Sequence, residues 1–586
     1  MLFLPLVTDA AVKIGSVYYN LNTSTKEAIV TENPSKYSGS VIVPSTVTFN
    51  GVNYSVTSIE DWAFQYCADL TSASFPNSVK SMGEGVFCYC SNLKSITLSN
   101  NLSSIKDWSF AGCEALTSIT LPNSLTNIGE YAFTNCRKLT TIIIPNNVTS
   151  IGVAAFQECT NLRYITMGSG VKSIGNSAFY NCNNLASIVI GSSVTSIGDF
   201  AFKNCTNMID ITIPNSVTSI GEEAFFMCSE LSSVKISSIA SWCQISFNGL
   251  NSNPLEYAHH LYLEGVEVKD LMIPNNVTSI ENRAFLGCTS LTSVTIPNSV
   301  TSIGPEAFHG CTSLASVTIP NGVTNIGSEA FRGCSSLTSI TLPNSVTGIG
   351  MHAFTECSSL ASIIISNGVT SIEDNSFSQC SALTSVTLPN SVTSIGYLAF
   401  YNCSSLSSIT LPKSVSEIKS YAFQNCTRLA DVYCLAEKVP ETKNNAFLNI
   451  SYDNATLHVP STVVDDYQIV EPWKSFKNID PIKKCATPHF NIVDGNLKFT
   501  CETEDVEFVY EITNTGAMNS SSELVLSNKY RISVYTRKND YLDSDVITKE
   551  ISLNESGDAN LDGRIDVADI ATIIDKIASS GKKDEE

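Results

Sequence analysis

The stretch LTSITLPNSLTNIGEYAFTNCRK, residues 116–138, is one copy of a 23-residue unit that recurs through most of the chain. Each copy carries a Phe-x-x-Cys pair, and this one position holds 15 of the 20 cysteines. A constant period of this length predicts a solenoid in which each coil contacts only its neighbours. The cysteines of the repeat are Cys67, Cys90, Cys113, Cys136, Cys159, Cys182, Cys205, Cys228, Cys288, Cys311, Cys334, Cys357, Cys380, Cys403 and Cys426.

Within the unit, Leu116, Ile119 and Leu121 predict a short strand whose apolar side chains point into the coil. Pro122 ends the strand because proline has no N–H to donate to a ladder. The glycine that often follows the next isoleucine is predicted to be dispensable for the backbone, since other coils hold Glu or Lys in that slot. The predicted fold class is mainly a β solenoid with a parallel β-sheet on its concave face.

The repeated cysteine could form disulfides, bind metal or pack as a small apolar side chain. A column of identical positions offers each thiol two equivalent neighbours, which defines no pairing. The column also lacks the histidine partners and the Cys-x-x-Cys spacing of zinc sites. We therefore predict a column of buried free thiols.

Composition excludes several classes of partner. The net charge is -21 and only 15% of residues are charged, whereas nucleic acids and anionic lipids bind to surfaces with clustered Lys and Arg. No apolar run approaches the ~20 residues that a transmembrane helix needs. The six histidines are scattered, and no convergent set of acid, base and nucleophile is visible. We expect a non-catalytic protein without a transmembrane segment.

The ends and the middle of the chain depart from the repeat. Residues 1–11 resemble the end of a secretory signal, although a hydrophobic first strand is the alternative. The segment 257–274 predicts a hairpin that turns at Glu264-Gly265. Trp242 and Tyr257 either form an interaction point or seal the break in the array. The predicted units are an N-terminal cap (12–57), a first array (58–236), an insertion (237–270), a second array (271–434) and a C-terminal cap containing Trp473 and Phe476 (435–480).

The outward positions of the strands are usually Ser and then Thr, as in Ser118 and Thr120. Six departures fall in consecutive coils of the first array, at or beside these slots. Exposed Tyr and Arg beside apolar residues have the composition of a binding hot spot, although drift in a redundant repeat is the alternative. The candidate ligand-binding residues are Ile143, Arg163, Tyr164, Val189, Asp210 and Lys235.

The repeats resemble those of the BspA-like leucine-rich repeat proteins. The resemblance is carried by IPNSVTSIG (213–221), AFLGC (284–288) and the entry segment VYYNLNTSTKEAIV (17–30). It implies a leucine-rich repeat solenoid on a bacterial cell surface or secreted from the cell. It further implies adhesion to host proteins, glycans or other cells, and it brings no active-site residues.

From Cys485 the composition changes to alternating short strands, which predict a small β-sandwich over 481–553. Residues 485–501 alternate around Asp494-Gly495 as a hairpin. The segment resembles the immunoglobulin-like modules related to the chitobiase C-terminal domain, in which a spacer role is usual. Cys485 and Cys501 would lie nearly opposite each other across the hairpin, so we expect them to form a disulfide.

Residues 555–580 contain a calcium-binding pattern, followed by a short tail (581–586). Oxygen ligands at positions 1, 3, 5, 9 and 12, a carbonyl at 7 and Gly at 6 form an EF-hand-like loop, with a solvated acidic turn as the alternative. The predicted calcium ligands are Asp558, Asn560, Asp562, the carbonyl of Arg564, Asp566 and Asp569.

This unit resembles one half of a dockerin. Dockerins bind cohesin modules of polysaccharide-degrading assemblies, and Val567 and Ala568 occupy the slots that help to choose a cohesin. A dockerin has two such repeats, whereas this chain has one. Recruitment through a cohesin-like module is therefore the alternative to adhesion through the solenoid.

Overall fold

The protein is described by a computed structural model that covers residues 11–493, 496–514, 529–538 and 541–552. The predictions for the signal remnant before residue 11, for the Asp494-Gly495 turn and for the calcium loop lie outside these residues. The same holds for Val567 and Ala568, and for the helix of the EF-hand-like unit, which the spacing of Ile570, Ile573, Ile574 and Ile577 predicts.

An N-terminal sheet covers the start of the solenoid. Its strands pair antiparallel, except that Glu27–Thr31 runs parallel to Val52–Ile59. Val52–Ile59 also pairs in parallel with Ser81–Met82 and so leads directly into the repeats. The strands are Val12–Ile14, Val17–Asn22, Glu27–Thr31, Thr46–Phe49 and Val52–Ile59.

Most coils add one short strand to a first ladder, which runs parallel along the solenoid in several segments. The coil of residues 116–138 is an exception, because the strand predicted from Leu116, Ile119 and Leu121 does not form there, although all three side chains are buried. The register equals the repeat, so that Ser293 lies opposite Ser316 and Thr295 opposite Thr318. The strands of the first ladder are Gly39–Ile42, Leu70–Ser74, Ser95–Thr97, Thr141–Ile143, Tyr164–Thr166, Ser187–Val189, Asp210–Thr212, Ser233–Ile236, Leu261–Leu263, Asp270–Met272, Ser293–Thr295, Ser316–Thr318, Ser339–Thr341, Ser362–Ile364, Ser385–Thr387, Ser408–Leu411, Asp431–Cys434, Thr456–Pro460 and Asn478–Ile482.

A second parallel ladder of two-residue strands follows in most coils, and the sequence pattern did not predict it. Its isoleucines are buried beside the first ladder, while the preceding residue is partly exposed. The strands of the second ladder are Ser81–Met82, Ser104–Ile105, Asn127–Ile128, Ser150–Ile151, Ser173–Ile174, Ser196–Ile197, Ser219–Ile220, Ser246–Phe247, Ser279–Ile280, Ser302–Ile303, Asn325–Ile326, Gly348–Ile349, Ser371–Ile372, Ser394–Ile395, Glu417–Ile418 and Glu441–Thr442.

The third side of each coil consists of turns, which we call the turn side. The repeated phenylalanine points inward from it, and successive rings stack with centroids 5.0–5.5 Å apart. The repeated cysteine is buried next to this phenylalanine column in every coil, as predicted. Burial of aromatic rings and strand residues along the whole stack provides the hydrophobic stabilisation of the solenoid.

The turn side holds a repeated glycine that the coils need for close packing. A Cβ atom added to Gly152 would lie 2.5 Å from the carbonyl carbon of Gly129, one coil earlier. The backbone of Gly152 does not adopt a positive φ, so the requirement concerns space and not conformation. The prediction that the backbone conformation does not require glycine in this slot is confirmed, and Lys106 occupies the same slot elsewhere. The need for space in coils such as that of Gly152 was not predicted.

The insertion seals the break between the two arrays. Helices Ile239–Trp242 and Leu255–Ala258 are followed by the predicted hairpin, in which Leu261–Leu263 pairs antiparallel with Val266–Glu267. Trp242 is buried, and its indole N–H donates to the carbonyl oxygen of Ala284 at 2.7 Å. Trp242 therefore acts within the fold, as the sealing interpretation predicted.

The C-terminal cap closes the phenylalanine column with aromatic side chains. It contains helix Val464–Tyr467 and the 3₁₀ helix Trp473–Ser475. Trp473 and Phe476 are buried, and both rings contact Phe447 edge-on. Both residues therefore pack on the last ring of the phenylalanine column, where the sequence predicts a cap.

The C-terminal module contains two antiparallel sheets. His489–Val493 pairs with Asn496–Thr500, and Glu507–Asn514, Lys529–Arg537 and Ile547–Ser552 form the second sheet. Phe499 of the first sheet contacts Phe508 and Tyr510 of the second.

The predicted disulfide in this module is wrong, because Cys485 and Cys501 are both free. His489 lies opposite Thr500, so the register places Cys501 opposite residue 488 and not opposite Cys485. The Cys501 thiol instead donates to the carbonyl oxygen of Ala486 at 3.1 Å.

Candidate functional site

The predicted binding residues of the first array lie on the outward face of the first ladder. Thr141 pairs with Tyr164, and Ile143 pairs with Thr166 in the adjacent strand. Tyr164 therefore lies diagonally next to Ile143, and Val189 occupies the same slot as Ile143 two coils further on. The side chains of Ile143, Tyr164 and Val189 are 67%, 61% and 65% exposed. The structure thus brings three exposed apolar or aromatic side chains together where most coils present Ser and Thr.

Charged side chains border this apolar group on two sides. Arg163 is exposed directly before Tyr164. The Lys235 ammonium lies 3.3 Å from a carboxylate oxygen of Asp210 in the preceding coil, and both side chains are partly exposed. Such a surface ion pair contributes little to stability. Both groups are accessible to a partner because both are partly exposed.

Ile209 belongs to the same surface but was missed by the sequence reasoning. It is 56% exposed and lies directly before Asp210. Ile209 stands one residue before the outward strand slot, at the repeat position that Arg163 occupies two coils earlier. Counting apolar residues at all positions outside the buried pattern would have found it. We call Ile143, Arg163, Tyr164, Val189, Ile209, Asp210 and Lys235 the ladder patch.

The rest of the first ladder is mostly polar on its outward face. Ser316 and Thr318 are both exposed, as are Ser339 and Thr341. Met272 and Ile364 are separate exceptions in the second array, at 73% and 64% exposure in Thr slots. The ladder patch is therefore a local feature of the first array and not a property of the repeat.

Ionisable side chains at the end of the first ladder serve the fold. His458 contacts Asp431 at 2.9 Å through Nε2 and Asp480 at 3.1 Å through Nδ1. Both ring nitrogens are thus engaged, and the three residues tie together the last strands.

In the part of the chain that the structure describes, no group of three or more His, Cys, Asp and Glu side chains is arranged to hold a metal ion. Within the same part, no helix is long and apolar enough to cross a membrane.

The coils stack on one another, and most of them contribute a short parallel strand. Leucine, phenylalanine and cysteine side chains are buried at the same positions from coil to coil. These features define a leucine-rich repeat solenoid. Residues 45–140, 126–253, 259–380 and 347–469 match the family described as BspA type leucine-rich repeat region. The chain belongs to this family. The predicted solenoid and the resemblance in its repeats are therefore confirmed.

Two of the solved structures that are similar to this chain are leucine-rich repeat proteins. One from Bacteroides ovatus is 29% identical and matches 74% of this chain and 99% of its own, with a TM-score of 0.45. A leucine-rich cell surface protein from Faecalibacterium prausnitzii is 28% identical and matches 70% of this chain and 96% of its own, with a TM-score of 0.35. No curated protein is significantly similar to this chain.

Proposed function

We propose that this protein is a non-catalytic, secreted or cell-surface binding protein that adheres to a protein ligand through the ladder patch. The observation that carries the proposal is the replacement of the usual Ser and Thr by exposed Ile143, Tyr164 and Val189 in consecutive coils. A cluster of exposed apolar side chains lowers the solubility of a protein, so such a cluster is typical of an interaction surface.

The composition of the ladder patch favours a protein ligand. Tyr and Arg dominate the energy of protein interfaces because they combine a large apolar area with hydrogen-bonding groups. Tyr164 and Arg163 supply these groups at the centre of the patch, while Asp210 and Lys235 form a polar rim. The flat first ladder gives the patch a rigid support, which limits the entropy lost on binding.

A capture experiment tests this proposal. Full-length protein and a truncation ending at residue 482 would be immobilised and exposed to host matrix proteins, glycans and bacterial surface extract, with calcium or with chelator. This boundary keeps the last strand of the first ladder, Asn478–Ile482, intact. We expect both proteins to capture the same protein ligand regardless of chelator. Capture that is lost on truncation and in chelator would refute adhesion through the solenoid.

The second candidate function is recruitment to a polysaccharide-degrading complex through residues 555–580. Its support is the calcium-loop pattern, in which Asp558, Asp562 and Asp569 would be oxygen ligands. Calcium titration of the chelated full-length protein tests it by calorimetry. We expect one calcium ion per chain, and none after the double substitution Asp558→Ala and Asp562→Ala. Calcium-dependent capture of a cohesin module would support recruitment. Calcium binding without such capture would contradict recruitment and indicate that the loop has a structural role.

A further inference from the structure

The first ladder begins with a strand that has one unpaired edge. Gly39–Ile42 pairs in parallel with Leu70–Ser74, and no strand in the described part of the chain pairs with it on the other side. The second ladder begins differently, because the N-terminal sheet continues it. Val52–Ile59 pairs with Ser81–Met82 on one side and with Glu27–Thr31 on the other. The N-terminal cap therefore covers the start of the second ladder and leaves the start of the first ladder open.

Backbone groups of two residues point to this unpaired side, which we call the open edge. The N–H groups of Gly39 and Val43 donate to carbonyl oxygens of the next coil at 2.8 and 2.9 Å. Alternate residues of a strand direct their backbone groups to opposite sides, so those of Ser40 and Ile42 point away from the next coil. The open edge thus presents the N–H and C=O groups of both residues at the spacing of a β ladder.

The composition of this strand leaves the open edge unprotected. Natural proteins block sheet edges with proline, charged side chains or covering segments, because an open edge pairs with other chains. Residues 37–49 contain no charged side chain, and their one proline, Pro44, lies beyond the strand. Gly39 and Ser40 are exposed, and Ile42 is 72% exposed. None of these devices therefore protects the strand.

The opposite end of the first ladder is blocked. In the last strand, Asn478–Ile482, the carbonyl oxygen of Ile482 accepts an N–H group of the preceding coil, so the alternate residue Pro481 faces the outer side. Proline has no N–H to donate to an added strand. Leu542 of the C-terminal module forms two backbone hydrogen bonds of 2.9 Å with residues 483–485 on the same side. The chain therefore protects one end of the ladder and leaves the other end open.

We propose that the open edge binds an extended, uncharged peptide segment of a partner protein as an added parallel strand. The backbone groups select a polypeptide, since a strand offers N–H and C=O groups at the matching spacing. The exposed side chains select its sequence. The Ser40 hydroxyl accepts a hydrogen bond from the Ser72 hydroxyl at 2.8 Å, so a residue with a hydroxyl group fits beside it. The exposed Ile42 favours an apolar or aromatic residue two positions later.

A second copy of the chain is a poorer occupant of the open edge. Edge-to-edge pairing would bring only four residues of each chain into the common ladder, whereas stable interfaces use about 20–30 residues on each side. End-to-end pairing would need the outer side of Asn478–Ile482, which Pro481 and the C-terminal module block. A peptide segment needs no such area, because a single added strand is held mainly by main-chain hydrogen bonds.

The open edge is separate from the ladder patch. Ile42 and Ile143 occupy the same outward slot of the first ladder, with Ser74, Thr97 and Thr120 in the coils between them. The ladder patch presents the face of the sheet, whereas the open edge presents backbone groups at its end. Binding at either site can therefore fail without the other.

Fluorescence anisotropy of labelled peptides with the full-length protein tests the proposal. The probe is the repeat strand SLTSVTI, residues 290–296, with Thr295→Tyr, which places Ser and Tyr at the two outward positions. We expect saturable binding of this probe. The same peptide N-methylated at residues 293–296 keeps the side chains but loses the N–H donors, so we expect it to bind at least tenfold more weakly. No binding of the probe, or equal binding of both peptides, would overturn the proposal.

Variants of the full-length protein assign the binding to the open edge. Ile42→Thr removes the apolar contact and should weaken binding at least threefold. Ile42→Pro removes an N–H group of the open edge without removing a bond of the ladder, and should weaken binding at least tenfold. Ile364→Thr is the matched control, because Ile364 is 64% exposed in the same slot of a strand paired on both sides. Thermal unfolding would establish that each variant is folded. Equal binding by the Ile42 variants and the control would contradict the proposal.

The same proteins distinguish other occupants of the open edge. Sedimentation that shows a dimer of the parent protein and a monomer of Ile42→Pro would assign the open edge to a second copy. Probe binding that appears only after removal of residues 1–10 would assign it to the chain's own N-terminal segment. Either result would show that the open edge does not serve a partner protein.

Discussion

The thiol of Cys205 donates a hydrogen bond to the carbonyl oxygen of Phe179, 3.3 Å away in the preceding coil. The same contact recurs at 3.0–3.3 Å along both arrays, for example from Cys90 to Phe64 and from Cys426 to Phe400. The repeated cysteine is therefore a buried donor that links one coil to the next, in addition to a small apolar side chain. Burial raises the pKa of the Cys159 and Cys426 thiols to about 12.

These thiols should be unreactive in the folded protein. The thiolate is the reactive form, and burial disfavours it while also blocking access. Of the 20 cysteines only Cys501 is not buried. We expect Ellman's reagent to label Cys501 slowly or not at all in buffer, and all 20 thiols after denaturation. If two thiols fail to react in denaturant, the result would indicate a disulfide between Cys485 and Cys501.

The phenylalanine column should dominate the stability of the stack. Phe202 is buried between Phe179 and Phe225. We expect Phe202→Ala to lower the free energy of unfolding by about 3–5 kcal/mol, because it leaves a cavity between two stacked rings. Phe200→Ala is the control, two residues away and partly exposed, with an expected cost of about 1 kcal/mol. Equal costs in urea denaturation would show that the column is not the core.

The close approach of coils at the repeated glycine can be tested at Gly152. We expect Gly152→Ala to cost about 1–3 kcal/mol, because the new methyl group must displace the backbone of Gly129. Lys106→Ala probes the same repeat slot in a coil that already carries a side chain, and should change stability by about 0.5 kcal/mol or less. A neutral Gly152→Ala would mean that the coils can separate locally at little cost.

The stability of the second array should decrease in mild acid through His309. Burial lowers the pKa of this imidazole in the folded protein, an effect that the Glu329 carboxylate partly opposes. The unfolded chain therefore takes up the proton first, and stability falls as pH decreases through the ordinary histidine pKa of about 6.5. We expect His309→Asn to lose less stability than the parent protein between about pH 7.5 and about pH 5.5 in urea denaturation. Identical pH profiles would contradict this assignment.

The sequence predicted the repeat and the inward residues because these depend on local periodicity. Leu116, Phe133 and Cys136 are buried as their spacing requires. The second ladder was missed because two-residue strands such as Ser150–Ile151 leave no alternating pattern. The packing role of Gly152 was missed because it depends on contact between residues 23 positions apart, which a single coil does not reveal.

The exposed side chains of the first array were predictable only in part, for a related reason. Ile143 and Tyr164 were identified as candidates because they interrupt a regular Ser and Thr pattern. The exposed aromatic residues of the turn side, such as Tyr66 and Tyr89, were not identified, since aromatic residues there break no strict pattern. Their exposure and their stacking are visible only in the three-dimensional structure.

The measurement that tests adhesion most directly is the affinity of a protein ligand for a variant with the usual repeat residues in the ladder patch. Ile143→Thr, Tyr164→Ser and Val189→Thr together restore the Ser and Thr pattern without disturbing the buried core. The matched control is Ile364→Thr, which makes the same change at an equally exposed slot of the second array. We expect the triple variant to lose at least tenfold in affinity and the control to bind like the parent protein. Unchanged affinity of a folded triple variant would contradict the proposal that the ladder patch is the adhesive surface.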